Sequence, residues 1–275
     1  MIGDFDSMSD HIKKFYSESL GDFPNSHYHL VIALNEAPDI EWPLIHAKVP
    51  LLPRGWFELA RLTVKDRVEF TRDFWIKKLP YHPYLHEFIV EFFSFIEDIQ
   101  IFLVQQKFDD PFEAHLVYCL KKDNGFFKGY PPALESDLLQ LQADFPDVIF
   151  PKDYLAFLEV HNGLCKTTDC TGIFRSHLMK DYYDKFQKDL EDKEISSEEG
   201  TMVNPKSLIP FYESFGMPFY QCFFKEWYPE DEMGNVYYSG NTNTISDVKN
   251  KDPSREAMAF PTFSDWLTFY LEAIG

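Results

Sequence analysis

Cysteine is scarce in this chain, and its scarcity bears on where the protein works and on what stabilises it. Four cysteines occur among 275 residues at irregular spacing: Cys119, Cys165, Cys170 and Cys222. The disulfide framework typical of small secreted domains is therefore not expected, and a reducing cytoplasm is the predicted location. Residues 1–10 carry three aspartates and no basic residue. This beginning does not match a secretory signal.

Long apolar runs are also missing. A membrane-spanning helix needs roughly 18 consecutive apolar residues, and the most apolar stretches here are interrupted by Glu91, Glu97 and Asp98. The chain is nevertheless 45% hydrophobic and 17% aromatic. Composition and length together predict a soluble globular protein with a substantial core, arranged as one large domain or two small ones.

Basic residues are outnumbered, at 26 against 45 acidic residues, which gives a formal net charge of −19. Residues 1–131 contain 20 acidic and 14 basic side chains, and residues 132–275 contain 25 and 12. Because such a field repels phosphates, the sequence predicts no binding to nucleic acid. The negative field favours a basic protein partner, although it also serves simply to keep an aromatic-rich protein in solution.

Motifs that carry chemistry are absent from the sequence. There is no Gly-rich phosphate loop, no His-Glu-x-x-His, no Gly-x-Ser-x-Gly and no Cys-x-x-Cys. The sequence therefore predicts no catalytic residue and no cofactor.

A possible zinc site is formed by four residues within 17 positions. The series combines imidazole and thiolate ligands, which zinc prefers: His161, Cys165, Cys170 and His177. Its spacing matches no standard zinc finger, and small cysteines and an apolar-face histidine are common in protein cores. The sequence therefore predicts no metal site.

Three further groups of polar residues have simpler interpretations. His82 and His86 are four apart, but Pro83 makes His82 a helix-capping residue. Asp109 and Asp110 precede Pro111 in a connection, where adjacent carboxylates seldom converge on one substrate atom. The acidic residues 230–232 lack the alternating ligands of a calcium loop. We interpret all three groups as structural.

The N-terminal part mixes strands and helices. A strand is predicted over 27–34. Helical spacing of apolar residues is predicted over 56–79, with Thr63 as a candidate N-cap before Val64, and a second helix over 83–95. Residues 99–104 and 115–120 are β-branched apolar runs that predict antiparallel neighbours. The glycines and prolines of 125–132 break the pattern, and we predict a domain boundary there, after residue 131.

The segment 150–163 is the most informative of the chain: Phe-Pro-Lys-Asp-Tyr-Leu-Ala-Phe-Leu-Glu-Val-His-Asn-Gly. Pro151 suits the first turn of a helix, and Gly163 suits its end. Five residues at helical spacing predict one buried face: Tyr154, Leu155, Phe157, Leu158 and His161. Lys152, Asp153, Ala156 and Glu159 fall toward the other side.

This segment, with the helices predicted before and after it, resembles the SUKH superfamily of Smi/Knr-type cell-wall-assembly regulators and bacterial toxin-immunity proteins. Residues 135–145 resemble its first acidic helix, 150–163 its Leu-Pro-x-x-Tyr-x-x-Phe-Leu helix, and 260–274 its closing Ser-Phe-x-x-Phe-Leu helix. The resemblance covers residues 132–275. It implies a protein-binding module that neutralises toxins or organises regulatory complexes.

The predicted fold class is α+β: an antiparallel sheet with helices packed on one face, SUKH-like, preceded by an N-terminal α+β extension. We predict two domains, at 1–131 and 132–275. Strands are expected at 172–174, 219–224 and 235–239, whereas the charged stretch 181–200 predicts a solvated helix or loop.

The candidate partner-binding site lies between the last two of these strands. Exposed aromatic side chains bury much area at small entropic cost, and a rim of carboxylates selects a basic partner. Both occur in one segment, whose candidate residues are Trp227, Tyr228, Glu230, Asp231 and Glu232. Alternatively, Trp227 closes the core.

We therefore predict a non-catalytic regulator or immunity-type protein without a cofactor, which binds a protein partner. The alternative is an enzyme or a small-ligand protein whose site lies between the two regions. An exposed acidic and aromatic patch favours the first class of protein. A deep pocket with converging titratable groups favours the second.

Overall fold

The computed structural model describes residues 10–16, 28–121, 125–169, 171–214, 218–229, 231–248 and 258–272. The chain divides into two compact units. The N-terminal unit comprises Met1–Trp75 and Ile89–Pro132, and the C-terminal unit comprises Ile76–Phe88 and Ala133–Gly275. The boundary predicted after residue 131 stays a prediction.

The described helices lie in both units and follow the chain in this order: α1 Asp10–Phe15, α2 Trp42–Lys48, α3 Arg54–Leu59, α4 Val64–Lys78, α5 Pro83–Ser94, α6 Glu135–Asp144, α7 Lys152–Leu158, α8 Met179–Asp189 and α9 Phe263–Glu272. The described strands are β1 Leu30–Ala33, β2 Ile96–Gln105, β3 Glu113–Leu120, β4 Phe126–Gly129, β5 Leu164–Lys166, β6 Gly172–Ile173, β7 Ser196–Ser197, β8 Leu208–Glu213, β9 Phe219–Phe224, β10 Asn235–Ser239, β11 Thr244–Ile245 and β12 Ala259–Phe260.

The N-terminal unit contains a four-strand antiparallel arrangement in the order β1-β2-β3-β4. The predicted pairing of residues 99–104 with 115–120 is confirmed, since Ile101 lies opposite Leu116. Residues 126–129 form a strand on β3, although the sequence predicted a break in the pattern there. Glycine and proline flank this short strand without interrupting it, and Phe126 and Phe127 supply its buried side chains.

Helix α4 begins where the sequence predicted. The hydroxyl of Thr63 accepts a hydrogen bond from the Asp66 backbone N–H at 3.3 Å and donates to the Asp66 carboxylate at 2.7 Å. The arrangement satisfies one of the N–H groups that every helix leaves unpaired at its start.

A buried ion pair connects α4 to β2 within the N-terminal unit. Arg67 is 8% exposed, and its Nε and Nη2 donate to Asp98 at 3.0 and 2.7 Å. Nη1 of the same guanidinium donates to the Leu62 carbonyl at 2.7 Å, and the Ile99 N–H donates to Asp98 at 2.7 Å. The pair lies beside the irregularity in β2 between Ile96 and Asp98. It therefore fixes the helix at the point where strand pairing is disturbed.

The C-terminal unit contains a sheet in the order β5-β6-β8-β9-β10-β11-β7, with β12 paired to β10. Its pairings are antiparallel except for the parallel contact of β7 with β11. The predicted α+β class is confirmed.

The helices of the C-terminal unit lie on both faces of its sheet, whereas the sequence predicted one. Tyr154 of α7 packs on Phe223 at a ring-centroid distance of 5.0 Å. Phe186 of α8 packs on Tyr220 and Tyr238 at 4.9 and 5.2 Å. Because Tyr220 and Phe223 are three positions apart in one strand, they point to opposite faces.

The difference from the predicted single-face packing arises from helix α8. The sequence of 181–200 is dominated by charge, which predicts a solvated segment. Yet Phe186, Leu190 and Ile195 are each buried and belong to the same cluster as Cys222 and Val236. Phe186 within the helix and Leu190 and Ile195 just beyond it dock this charged segment, because each removes a large apolar surface from water.

Over the described part of the chain, every helix is too short or too polar to cross a lipid bilayer.

We expect Arg67→Ala to lower the free energy of unfolding by about 3 kcal/mol, because Asp98 would keep its charge without its partner. Chemical denaturation measures the loss. The matched control is Arg72→Ala on the same helix, whose pair with Asp73 is more exposed and should be worth less than about 1 kcal/mol. Equal losses in the two variants would contradict the assignment.

Candidate functional site

The predicted site residues belong to the connection between β9 and β10, residues 225–234, which we call the β9–β10 loop. Backbone hydrogen bonds close its base: Phe224 N–H donates to the Gly234 carbonyl at 2.9 Å, and Gly234 N–H donates to the Trp227 carbonyl at 3.0 Å. Lys225 N–H donates to the Ser207 carbonyl at 2.9 Å. Backbone hydrogen bonds alone therefore hold the loop at its two ends.

Trp227 takes part in this anchoring. It is half-buried and packs against the cluster that includes Phe224 and Val236. Its ring lies directly over Gly234, where a Cβ atom would come 2.4 Å from the ring. This contact requires glycine at position 234. The alternative interpretation, in which Trp227 closes the core, agrees with this position, and the role of Trp227 in partner binding stays a prediction.

Glu232 joins the loop to the beginning of α7. Its carboxylate accepts a hydrogen bond from the Lys152 backbone N–H at 2.9 Å and lies 3.3 Å from Lys152 Nζ. A carboxylate at this position satisfies an unpaired N–H and complements the positive end of the helix. Glu232 therefore positions the loop, a role that the sequence alone did not indicate.

The exposed side chains of the loop are those between its two anchors. Tyr228 is 52% exposed, and Glu226, Pro229 and Asp231 are also exposed. Asp231 has a positive φ of 61°, a conformation that aspartate and asparagine adopt more readily than most residues other than glycine. Glu230, also predicted for this site, lies outside the described residues. The described loop thus presents an aromatic ring and carboxylates on an anchored base.

Asp153 connects the two helices that carry the sequence signature. It is 8% exposed, although the helical spacing placed it on the outer side of α7. Its carboxylate accepts hydrogen bonds from the Ser264 N–H of α9 at 2.7 Å and from the Tyr154 N–H at 2.8 Å. Burial raises the pKa of Asp153, and the hydrogen bonds from Ser264 and Tyr154 offset this only in part.

The end of the signature segment has a structural role as well. Gly163 has a φ of 104°, as expected for a residue at which the chain reverses. Asn162 is buried, and its side chain accepts a hydrogen bond from the Ser176 N–H at 2.7 Å and donates to Asp137 at 3.4 Å. Asp137 in turn accepts from the Leu134 N–H at the start of α6. The Asn-Gly pair therefore holds three neighbouring segments together.

The residues considered for zinc do not form a site in the part of the chain that the structure describes. His161 is 1% exposed, Cys165 is half-buried and His177 is exposed, while Cys170 lies outside the described residues. Among the described side chains, no three or more of His, Cys, Asp and Glu are grouped to hold a metal ion.

The fold and these contacts define an α+β domain built around two capped signature helices. Residues 132–268 match the model of the SMI1 / KNR4 family (SUKH-1). The C-terminal half of the chain therefore belongs to this family, as its helix signature predicted. No curated protein and no solved structure gives a significant match to the chain.

The C-terminal unit also includes a segment outside the family match, residues 76–88. Lys78 Nζ lies 2.7 Å from a Glu159 carboxylate oxygen at the end of α7. His82 Nε2 lies 3.2 Å from Asp265 in the first turn of α9, and its Nδ1 accepts from the Leu85 N–H at 3.3 Å. His82 is therefore a helix-capping residue, as predicted, and its segment contacts both signature helices.

We expect Gly234→Ala to lower the free energy of unfolding by about 1 to 3 kcal/mol, because the new methyl group overlaps the Trp227 ring. Chemical denaturation measures the change. The control is Gly55→Ala in α3, where no atom lies within 4 Å of the new Cβ. That variant should be unchanged or slightly more stable. An unaffected Gly234→Ala protein would refute the contact.

We expect the stability of the wild type relative to Asp153→Asn to fall as the pH rises above about 4, the ordinary pKa of an aspartate. Because the folded-state pKa is raised, the folded protein holds a proton that the unfolded chain has already released. This contribution is complete below pH 4 and is lost as the pH rises through the folded-state pKa. Denaturation of both proteins between pH 3.5 and 8 tests the sign, and a gap that is constant with pH would contradict it.

Proposed function

We propose that the protein is a non-catalytic binding module of regulator or immunity type, which engages a basic protein partner through the exposed side chains of the β9–β10 loop. The observation that carries the proposal is that some side chains of this loop anchor it while others are exposed. Trp227 and Glu232 hold it to the domain, and Tyr228 and Asp231 are left exposed to solvent.

An anchored loop is suited to binding, because association costs free energy for each segment that must be ordered. Backbone hydrogen bonds at Phe224 and Gly234 and the Glu232 contact with Lys152 already fix the two ends. Tyr228 then offers a large aromatic surface with few rotatable bonds. Such residues dominate the energetics of many interfaces.

The charge of the C-terminal half supports a basic partner. Residues 132–275 carry 25 acidic and 12 basic side chains. A net negative field of this size accelerates the approach of a positively charged protein, and salt screens it over about 10 Å. Glu226 and Asp231, which are exposed on the same loop, would supply carboxylates for such a partner.

Membership of the SMI1 / KNR4 family (SUKH-1) is consistent with a regulator or an immunity-type module. The proposal includes a cytoplasmic location and action without a cofactor. The alternative is an enzyme or a small-ligand protein. A binding module should co-purify from the cell with another protein, whereas the alternative should co-purify with a small molecule.

We expect the double variant Tyr228→Ala with Asp231→Asn to lose its protein partner while keeping its thermal stability. Affinity capture from the native cell followed by mass spectrometry identifies the partner, and titration with that partner should show at least a tenfold weaker Kd. Both residues are exposed, so the fold should not depend on them.

The matched control replaces an exposed tyrosine and an exposed aspartate elsewhere in the C-terminal unit, Tyr81→Ala with Asp147→Asn. It should retain the partner at wild-type affinity. The proposal fails if both double variants retain the partner equally. It also fails if a metabolite co-purifies in stoichiometric amount and no protein does.

A further inference from the structure

Helix α4 carries a second exposed surface, which is separate from the β9–β10 loop. The helix is continuous over Val64–Lys78, and one side of it is fixed to β2 and β3. On that side Arg67 and Trp75 are buried, and Trp75 Nε1 donates to the Tyr118 hydroxyl at 2.8 Å, while Arg67 pairs with Asp98. Because this side is held by the strands, the opposite side of α4 faces solvent.

Two phenylalanines lie next to each other on the exposed side. Phe70 is 68% exposed and Phe74 is 40% exposed, and residues four apart on a helix are neighbours. Single exposed apolar residues are ordinary on soluble proteins, but two adjacent aromatic rings form a continuous apolar surface. Burial of both rings against a partner would remove a large apolar area from water.

Opposite charges flank this aromatic pair. Asp66 lies in the first turn of α4, four positions before Phe70, and Lys77 lies in the last turn, three positions after Phe74. Both charged side chains are exposed. Spacings of three and four place all four residues along one line on the helix surface. We call Asp66, Phe70, Phe74 and Lys77 the α4 stripe.

The other charged side chains on the exposed part of α4 are paired within the helix. Lys65 Nζ lies 3.8 Å from a Glu69 carboxylate oxygen, and Arg72 Nη2 lies 2.8 Å from an Asp73 carboxylate oxygen. Each pair is neutral in sum, so neither changes the order of charge along the stripe. The α4 stripe therefore has an acidic end, an aromatic middle and a basic end.

We propose that the α4 stripe is a self-association surface, which binds the α4 stripe of a second copy of this chain with the two helices antiparallel. A twofold axis between Phe70 and Phe74 makes the stripe its own complement. Phe70 of each copy then meets Phe74 of the other, and Asp66 of each copy meets Lys77 of the other. A parallel arrangement would instead bring like charges together.

The order of residues favours a second copy over a different protein. An unrelated helix would have to carry a base, two aromatic rings and an acid in the reverse order, whereas α4 of a second copy supplies that order by symmetry. The repulsion between two chains of net charge −19 is screened beyond about 8 Å at physiological ionic strength.

The size of the surface predicts a weak dimer. A helix of this length extends about 22 Å. A contact along one helix face buries less than the roughly 1,200 Å² at which specific, stable interfaces begin. We therefore expect a dimer that forms at micromolar concentrations and dissociates on dilution.

Sedimentation velocity of the full-length chain at rising concentration and physiological ionic strength tests the proposal. The wild type should shift from monomer to dimer and form no larger species, because a twofold contact closes on itself. Phe70→Asp should weaken the dimer at least about tenfold. This variant should keep its fold, checked by thermal denaturation, since Phe70 is 68% exposed.

Reversal of the charges at the ends of the stripe gives the second readout. Lys77→Asp places an acid opposite Asp66 of the second copy and should weaken the dimer roughly fivefold. Adding Asp66→Lys in the same chain exchanges the two charges and should restore association. The matched control is Lys65→Asp, which makes the same change in net charge on α4 away from the stripe and should dimerise like the wild type.

Three results would each overturn the proposal. The first is a wild-type chain that stays monomeric at several hundred micromolar. The second is a folded Phe70→Asp protein that dimerises as well as the wild type. The third is an equal loss of association in Lys65→Asp and Lys77→Asp, because net charge and not the stripe would then control the contact.

Discussion

The arrangement of the two signature helices in the C-terminal unit depends on the hydrogen bond between Asp153 and the Ser264 N–H. It joins α7 to the first turn of α9 at 2.7 Å, inside the unit and away from solvent. The residues next to them in sequence, Tyr154 and Phe263, pack with their ring centroids 5.2 Å apart. The two helices that carry the family signature thus act as one element on their face of the sheet. A buried carboxyl is costly unless hydrogen-bonded, and the helix N–H groups meet that condition.

The same helix links the core to the candidate binding surface. Lys152 begins α7 and donates its backbone N–H to Glu232 of the β9–β10 loop, while the next residue, Asp153, reaches α9. The loop is therefore attached to the helix that Asp153 joins to α9. The side chains that face solvent, Tyr228 and Asp231, are carried on an anchored base, which under the proposed function lowers the ordering cost of binding. This arrangement explains why the signature segment identifies the fold while the proposed function lies outside it.

Sequence reasoning succeeded where the cause of structure is local. The Thr63 cap, the strands rich in β-branched and aromatic residues and the apolar face of α7 follow from neighbouring residues, and each is present. It failed where the cause is a distant contact. Nothing in the spacing around Asp153 or Glu232 shows that one caps α9 and the other caps α7. Charge in 181–200 concealed the docking of Phe186, and the glycines and prolines of 125–132 concealed the strand at 126–129. The identities of Trp227 and Tyr228 were informative, but only the fold shows that one is half-buried and the other exposed.

Hydrogen exchange of the full-length protein, free and bound to its captured partner, tests the central claim that the signature helix builds the fold and the loop binds. In the free protein, the backbone amides of Lys152 and Ser264 should exchange slowly, because both donate to carboxylates. Binding should add protection to residues 225–234 and leave residues 150–163 unchanged. New protection in 150–163 without any in 225–234 would contradict the account.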